Sequence, residues 1–369
     1  MSKILIVGNN AAGEKVYDGG CIKLRLYYSC LKKMNTQVSI FDLCNWKKKP
    51  VSTYLRLKKS VKEFDTIIIM AGPRGSRFLI PVINSFNKNR KKRVIYCPLG
   101  TGTIEKPTKS LNEQELIKFI NCIDFFDIKD DKIKKELSLL SAVIPQNDTL
   151  ANLYKNFYGL SNVYKINNFR DAEIIKRKFE KHHPIKSVFL SRVSKSKGIF
   201  LLLEAISKNP KISLDIYGDL QLNDTDKKLF FDIIRSNENV EYCGLSDYSN
   251  SIDLLSTYDL FFLPTQYKGE GTPGAFIESM IAGTPAIISS YSQSKELVAN
   301  GKNGYIFEIG SSADLEEKIN VFASLDKNKL DEMSEECQDR AQQFLFKNNM
   351  KSFFEIITGE IYENSDCNS

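Results

Sequence analysis

The chain has 369 residues, 42% hydrophobic and 26% charged, with 20 Gly and 11 Pro. That is globular usage at about the length of two domains, and it excludes disordered, collagenous and low-complexity classes. The formal charge is +7, no stretch reaches the roughly 18 to 20 apolar residues that cross a bilayer, and Ile4 to Val7 is too short for a signal-peptide core, so a cytoplasmic location is expected.

The charge is unevenly placed. Residues 1–165 carry 29 Lys+Arg and 14 Asp+Glu, a net +15, whereas 166–369 carry 23 and 31, a net −8. The basic half holds the clusters Lys47-Lys48-Lys49, Lys58-Lys59 and Arg90-Lys91-Lys92-Arg93, which suit anionic lipid headgroups or a phosphorylated substrate, or are simply solvated helix ends. No nucleic-acid-binding motif accompanies them, so no nucleic-acid partner is expected. Eight cysteines without CxxC or other metal-like spacing read as reduced thiols, with neither zinc nor disulfides holding the fold.

In chain order, short β-branched runs alternate with amphipathic segments. Strands are expected at 4–7, 38–41, 66–70, 93–97 and 141–144, about six strands making one unit. Helices are expected near 20–33, 75–87, 111–121 and 147–158. This βαβ rhythm predicts a doubly wound parallel sheet. A charged stretch without strand pattern reaches Lys186, after which strands are expected at 188–190, 212–217, 259–263, 285–289 and 304–307. Helices near 197–207, 225–235, 247–256 and 275–282 lie between them, and beyond Ser311 the pattern is helical only. The expected divisions are 1–165, a linker at 166–185, a second domain at 186–345, and a C-terminal helical segment at 346–369 that packs back on the first domain.

The most informative segment runs from Pro264 through Glu270-Gly271-Thr272-Pro273-Gly274-Ala275 to Glu278, between an apolar strand and a helix. Its glycines let the backbone lie close to a ligand, and the amides of Thr272, Gly274 and Ala275 aim outward at a helix start, which suits a phosphate or a sugar hydroxyl. Two acids flanking that turn can hold hydroxyl pairs. Upstream, Arg192 and Lys197 flank another strand-to-helix turn, where fixed cations would stabilise charge on a departing diphosphate.

The segment 264–278 resembles the Glu-x7-Glu signature of the family-4 retaining glycosyltransferases, with Glu270 and Glu278 at that spacing. Ser191-Arg192 through Lys197-Gly198 resembles the family's Gly-Arg-Leu…Lys-Gly pattern, with Ser191 for the usual Gly. Gly218 is similar to a strand-ending glycine near the nucleoside, and Asn168-Phe169-Arg170 to the Asn-Phe segment before the second domain. The resemblance implies a GT-B fold: two doubly wound Rossmann-like parallel-sheet α/β domains facing across a cleft, with C-terminal helices packing back. It implies that Glu270 contacts the donor sugar and Glu278 the ribose, that Arg192 and Lys197 bind the diphosphate, and that the amides of Thr272, Gly274 and Ala275 approach both. Thr-Pro-Gly stands where Phe-Gly-Leu is usual.

In the first half, Gly19 and Gly20 are candidates for a glycine pair facing the diphosphate, with Lys23 and Arg25 as acceptor-side cations. His182 and His183 read as a solvated helix end, Thr101 or Thr103 as cleft residues in place of the family's His, and Asp224-Thr225-Asp226 as a helix cap rather than a metal site. Neither a metal nor another cofactor is expected. The implied activity moves a sugar from a nucleotide sugar to a hydroxyl of a glycan acceptor with retention. The acceptor is expected to be polyprenyl-diphosphate-linked, met on an anionic membrane surface during capsule or lipopolysaccharide assembly. The alternatives are a glycosyltransferase with a soluble acceptor and a noncatalytic nucleotide-sugar sensor or scaffold.

Overall fold

The computed structural model describes residues 2–13, 19–99, 131–176, 182–267 and 270–361. The expected helix at 111–121 and Thr101 and Thr103 lie outside the described residues. The chain divides into two compact units, one of residues 1–171 with 346–369 and one of residues 172–345.

The first unit is a parallel sheet of β1 (Lys3–Gly8), β2 (Gln37–Asp42), β3 (Thr66–Ala71), β4 (Arg93–Pro98) and β5 (Ala142–Val143), in the order β2-β1-β3-β4-β5. The helices α1 (Gly19–Lys33), α2 (Pro50–Glu63), α3 (Pro73–Phe86), α4 (Asp131–Ser138) and α5 (Asp148–Asn152) connect or flank them. The central strand β3, Thr-Ile-Ile-Ile-Met-Ala, is buried along its whole length, because a parallel strand covered by helices on both faces has no wet side. Successive side chains alternate between faces. Leu5, Val7, Ile67 and Ile69 join Leu57 and Val61 of α2 and Ile80 and Ile83 of α3 in one core layer. On the opposite face Ile4, Ile6, Ile68 and Met70 meet Leu24, Tyr27 and Leu31 of α1.

That second layer also takes Phe346, Phe353 and Ile357 from a helix at 346–358 near the chain's end. The Phe353 ring stands edge-on to Tyr27 at 4.8 Å and to Phe169 at 5.2 Å. Arg93 closes the same helix by donating from Nη2 to the Ile356 carbonyl at 2.8 Å. Ile166 and Phe169, read above as linker, are buried core of the first unit, and the division falls after Asp171. The sheet has five strands where about six were expected, and beyond β5 Val163 adds a single bridge to Val143.

The second unit is a six-stranded parallel sheet of β6 (Ile185–Leu190), β7 (Ile212–Tyr217), β8 (Val240–Gly244), β9 (Leu260–Leu263), β10 (Ala286–Ser289) and β11 (Gly304–Phe307), in the order β11-β10-β9-β6-β7-β8. Strand β8 was not anticipated. It is an edge strand, mostly half-exposed, and Val-Glu-Tyr-Cys-Gly lacks the apolar run that marks the inner strands. The connecting helices are α6 (Ile199–Ser207), α7 (Asp224–Arg235), α8 (Ser251–Ser256), α9 (Gly274–Ile281) and α10 (Ser294–Leu297); α11 (Ser312–Ser324), α12 (Lys327–Ala341) and, in the first unit, α13 (Phe346–Thr358) close the chain. The winding reverses at β6, which has β7 on one side and β9 on the other. Doubly wound sheets bind ligands at such a switch point, beyond the carboxyl ends of the strands.

Candidate active site

Two loops meet at that point in the second unit, one leaving β6 and one leaving β9. The first runs through Arg192 into a single 3-10 turn, Lys195–Lys197, ended by Gly198 in the left-handed conformation at φ 75°. A Cβ on Gly198 would lie 1.8 Å from the Pro264 carbonyl oxygen, so only glycine lets the two loops touch. The contact is then sewn by a hydrogen bond: the Gln266 amide donates to the Ser196 carbonyl at 2.8 Å, with Thr265 Oγ1 3.3 Å from the same carbonyl.

This joint brings Lys197 to Glu270. Lys197 Nζ lies 2.5 Å from Glu270 Oε2, and the two side chains are only 12% and 11% exposed. Thr265 Oγ1 donates to the same carboxylate oxygen at 3.0 Å, and its own position is held by the Tyr267 amide and by Ser289 Oγ on the Thr265 carbonyl. Tyr291, just past β10, is buried, and its Oη has no hydrogen-bond partner among the described residues. Burial pushes its phenol well above the usual range, and the nearby Glu270 charge adds to that. Thr265 and Tyr291 escaped the sequence reading, because no charge or spacing marks a lone hydroxyl as part of a site.

The segment after Glu270 turns into α9. Pro273 is its N-cap, with no side-chain cap, and the first helical amide bond runs from Ile277 to the Pro273 carbonyl. Gly274 and Ala275 thus form an uncapped first turn, half-buried, with the positive end of the helix dipole. Thr272 is buried beside them, and Glu278 sits one turn into the helix at 2% exposure. Arg192 is exposed at the carboxyl end of β6. Gly218 ends β7 at φ 149°, where a Cβ would strike the Ser191 carbonyl oxygen at 1.7 Å. The Gly218 amide donates to the Gly244 carbonyl, and its carbonyl accepts from Tyr242 Oη. Its position is therefore explained by close backbone approach at the strand ends.

The remaining sequence candidates are placed differently from their reading. Gly19 and Gly20 are the first turn of α1 in the first unit, Gly19 exposed with open space around it. Lys23 is buried beneath that turn; burial lowers its pKa to about 8, Cys97 works against the shift, and Arg170 adds to it. Arg25 spends its guanidinium on Asn10, with Nε on Oδ1 and Nη2 on the carbonyl, both at 2.9 Å. Asp42, at the end of β2, accepts from the Asn10, Ala12 and Cys44 amides and so pins the β1–α1 loop. His182 is exposed, as expected, but tethered: Nδ1 lies 2.9 Å from both carboxylate oxygens of buried Asp259, which also accepts from the Lys186 amide. The cap of α7 is Asn223, whose side chain accepts from the Asp226 amide, while Asp226 pairs with Lys195 at 2.9 Å.

Among the described residues Asp215, Glu241 and Cys243 have potential ligand atoms within 4.8 Å of one another. Tyr258 Oη already donates to Asp215 at 2.7 Å, and burial raises the Cys243 thiol away from the thiolate that a metal would need.

Residues 171–344 match the family described as Glycosyl transferases group 1. The match coincides with the second unit, residues 172–345. The chain is 24% identical over 292 residues to an uncharacterized glycosyltransferase of Methanocaldococcus jannaschii, covering 75% of this chain and 70% of that protein. It is 25% identical over 169 residues to the capsular polysaccharide biosynthesis glycosyltransferase CapM of Staphylococcus aureus, spanning 43% of that relative. Among solved structures, Anabaena Alr3699/HepE in complex with UDP and glucose superimposes with a TM-score of 0.69 at 17% identity, over 98% of this chain and all of that one. Sucrose-phosphate synthase from Thermosynechococcus elongatus does so with a TM-score of 0.72 at 14% identity, over 96% and 98%. At those identities the likeness concerns the fold: two Rossmann-like parallel sheets in the GT-B architecture. No helix among the described residues is long and apolar enough to cross a membrane.

Proposed function

We propose that the protein transfers a sugar from a nucleotide-diphosphate donor to a hydroxyl of a glycan acceptor, with retention at the anomeric carbon. We assign the acceptor to the lipid-linked class used in capsule or lipopolysaccharide assembly, met at the inner face of the cell membrane. The observation that carries the reading is the half-enclosed Lys197–Glu270 pair at the switch point of the second sheet, in the loop that leads to the uncapped start of α9.

A diphosphate suits this arrangement because it can satisfy both elements at once. Its oxygens take Lys197, Arg192 and the amides of Gly274 and Ala275, and Lys197 exchanges Glu270 for phosphate. The Glu270 carboxylate, still oriented by Thr265, is then released to accept from sugar hydroxyls. Glu278 is assigned to the ribose hydroxyls, Thr272 to the sugar, Gly218 to the nucleoside side, and Gly19 and Gly20 to the diphosphate from the first unit. In the transfer, the bond from the anomeric carbon to the diphosphate oxygen breaks and its electron pair leaves with the diphosphate. The acceptor oxygen bonds to the same face of that carbon, and its proton passes to the departing diphosphate. Arg192 and Lys197 stabilise that charge, since cations held in place need no reorganisation as it develops. The reading assigns no role to a metal or other cofactor.

The UDP bound in the HepE structure makes a uridine nucleotide the first donor to try. In a thermal-shift screen against UDP-, GDP-, ADP- and dTDP-sugars, one nucleotide class should raise the melting temperature with concentration. If none does, the donor reading is refuted. With the donor known, NMR of the product's anomeric proton decides retention, and paired assays with lipid-linked and free sugars decide the acceptor class.

A further inference from the structure

The first unit contains a cavity of about 640 Å³. It opens at the carboxyl ends of β1, β3 and β4, where Asn9, Gly72 and Leu99 line it, and runs between α2 and α3. This is the switch point of the first sheet, since β1 has β2 on one side and β3 on the other. The volume lies within the about 300 to 1,000 Å³ usual for pockets that enclose a small ligand.

The walls are apolar: Leu57, Met70, Leu79 and Val82 line them, together with Trp46 and Phe78. Those two rings stack with centroids 5.3 Å apart and planes 18° from parallel. The mouth is cationic. Lys47 and Lys48, both exposed, line it beside Gly20 in the first turn of the fifteen-residue α1, where the helix dipole adds positive potential. The surrounding helix surfaces are greasy: Val51 is 72% exposed and Leu55 59%, and the lining residues Phe78 and Tyr54 are themselves 47% and 40% exposed. These are four of the ten large exposed hydrophobics among the described residues, gathered on α2 and α3 next to Lys58 and Lys59. Apolar patches of this kind beside lysines fit an amphipathic, anionic partner.

We propose that this cavity seats the apolar chain of a lipid phosphate, its first carbons between α2 and α3 and its phosphate at Lys47, Lys48 and the start of α1. A neutral lipid would leave the cationic mouth unanswered, and a free phosphate would leave the apolar interior empty. Calling the ligand an acceptor rests on the glycosyl-transfer reading above; the binding itself does not. The first carbons of the chain enter the cavity, so the glycan-bearing phosphate stays at the strand ends and the rest of a long chain leaves between the two helices toward the greasy outer surface.

Trp46 is the chain's single tryptophan, so its emission reports on this cavity alone. Farnesyl phosphate, titrated below its micelle concentration, should shift that emission to the blue and saturate. Farnesol should bind at least tenfold more weakly, and inorganic phosphate alone should give no blue shift. Along a series of n-alkyl phosphates the dissociation constant should fall roughly fourfold per methylene until the cavity is full. Thr53→Phe, which puts a ring into the cavity from half-buried Thr53 of α2, should weaken farnesyl phosphate at least tenfold while the melting temperature stays within a few degrees. No shift with farnesyl phosphate, equal affinity for farnesol, or a shift obtained only with vesicles of anionic phospholipid would each overturn the proposal. Lipid-phosphate binding without any nucleotide-sugar binding would remove the transfer reading and leave the cavity's assignment standing. The opposite pair of results would remove only the cavity's assignment.

Discussion

Lys197 Nζ and Glu270 Oε2 are 2.5 Å apart, although they lie 73 residues apart in the chain and on loops that follow different strands. The pair exists because Gly198 lets the β6 loop touch the end of β9, and because Thr265 orients the acid from the side. A cation and an anion are thus held together where water has little access to either side chain.

Replacing Glu270 should therefore separate chemistry from nucleotide binding. Glu270→Gln keeps the shape and a hydrogen bond to Thr265, and Lys197 is freed for phosphate. Transfer should fall by about a hundredfold or more in kcat, while the dissociation constant for the free nucleotide stays within about tenfold, one step of about 1.4 kcal/mol. Steady-state kinetics with calorimetry checks this; a kcat within threefold of the parent would remove Glu270 from the reacting centre.

Gly218→Ala tests the strand-end packing. Any Cβ there sits 1.7 Å from the Ser191 carbonyl oxygen, in a backbone conformation at φ 149° that other residues rarely take. Both the strain and the collision oppose it, and the second unit should lose at least about 3 kcal/mol of stability. Urea unfolding followed by circular dichroism measures this, and a loss below about 1 kcal/mol would contradict the geometry.

The buried amine of Lys23 should make stability rise with pH. Burial lowers its pKa from 10.5 to about 8, so between those values the unfolded chain binds more protons than the folded one. Stability then increases from about pH 8 to 10.5, and the cost of enclosing the charge is fully present below pH 8. Lys23→Met, losing one contact with Gln146 Oε1, should be more stable than the parent at pH 7 by about 2 to 3 kcal/mol. That advantage should disappear above pH 10.5. Denaturant midpoints of both proteins at pH 7 and above that value provide the comparison; an unchanged difference would show that Lys23 is not the titrating group.

Phe353→Ala removes a fully buried ring that meets Tyr27, Phe169 and Phe346. The cavity left behind should cost about 3 to 5 kcal/mol. Because α13 packs in the core of the first unit, hydrogen exchange should quicken in α1 and β1 and remain unchanged in β9 and β10. A uniform change across both units would argue against that placement.

Much of the fold was legible because parallel strands buried on both faces write themselves as apolar runs, as in Thr66 to Ala71 and Leu260 to Leu263. Strand β8 was hidden for the converse reason: an edge strand keeps polar residues, and Glu241 and Cys243 break the run. The segment 166–171 looked like linker because its polar residues outnumber its apolar ones. Yet Ile166 and Phe169 are driven into the first core, where Phe169 stacks on Tyr27. The tether from exposed His182 to Asp259 was hidden because the two are 77 residues apart.

The order of charged and glycine residues along the chain determined which loops could form a site, since periodicity and turn chemistry act over a few neighbouring residues. Only the tertiary structure decided that Lys197 faces Glu270, that Arg25 is committed to Asn10, that Lys23 is enclosed, and that an apolar cavity opens beside Trp46. Those relations depend on distances between segments far apart in sequence. Distances of that kind are set by the packing of whole sheets and helices, to which no short stretch of residues refers.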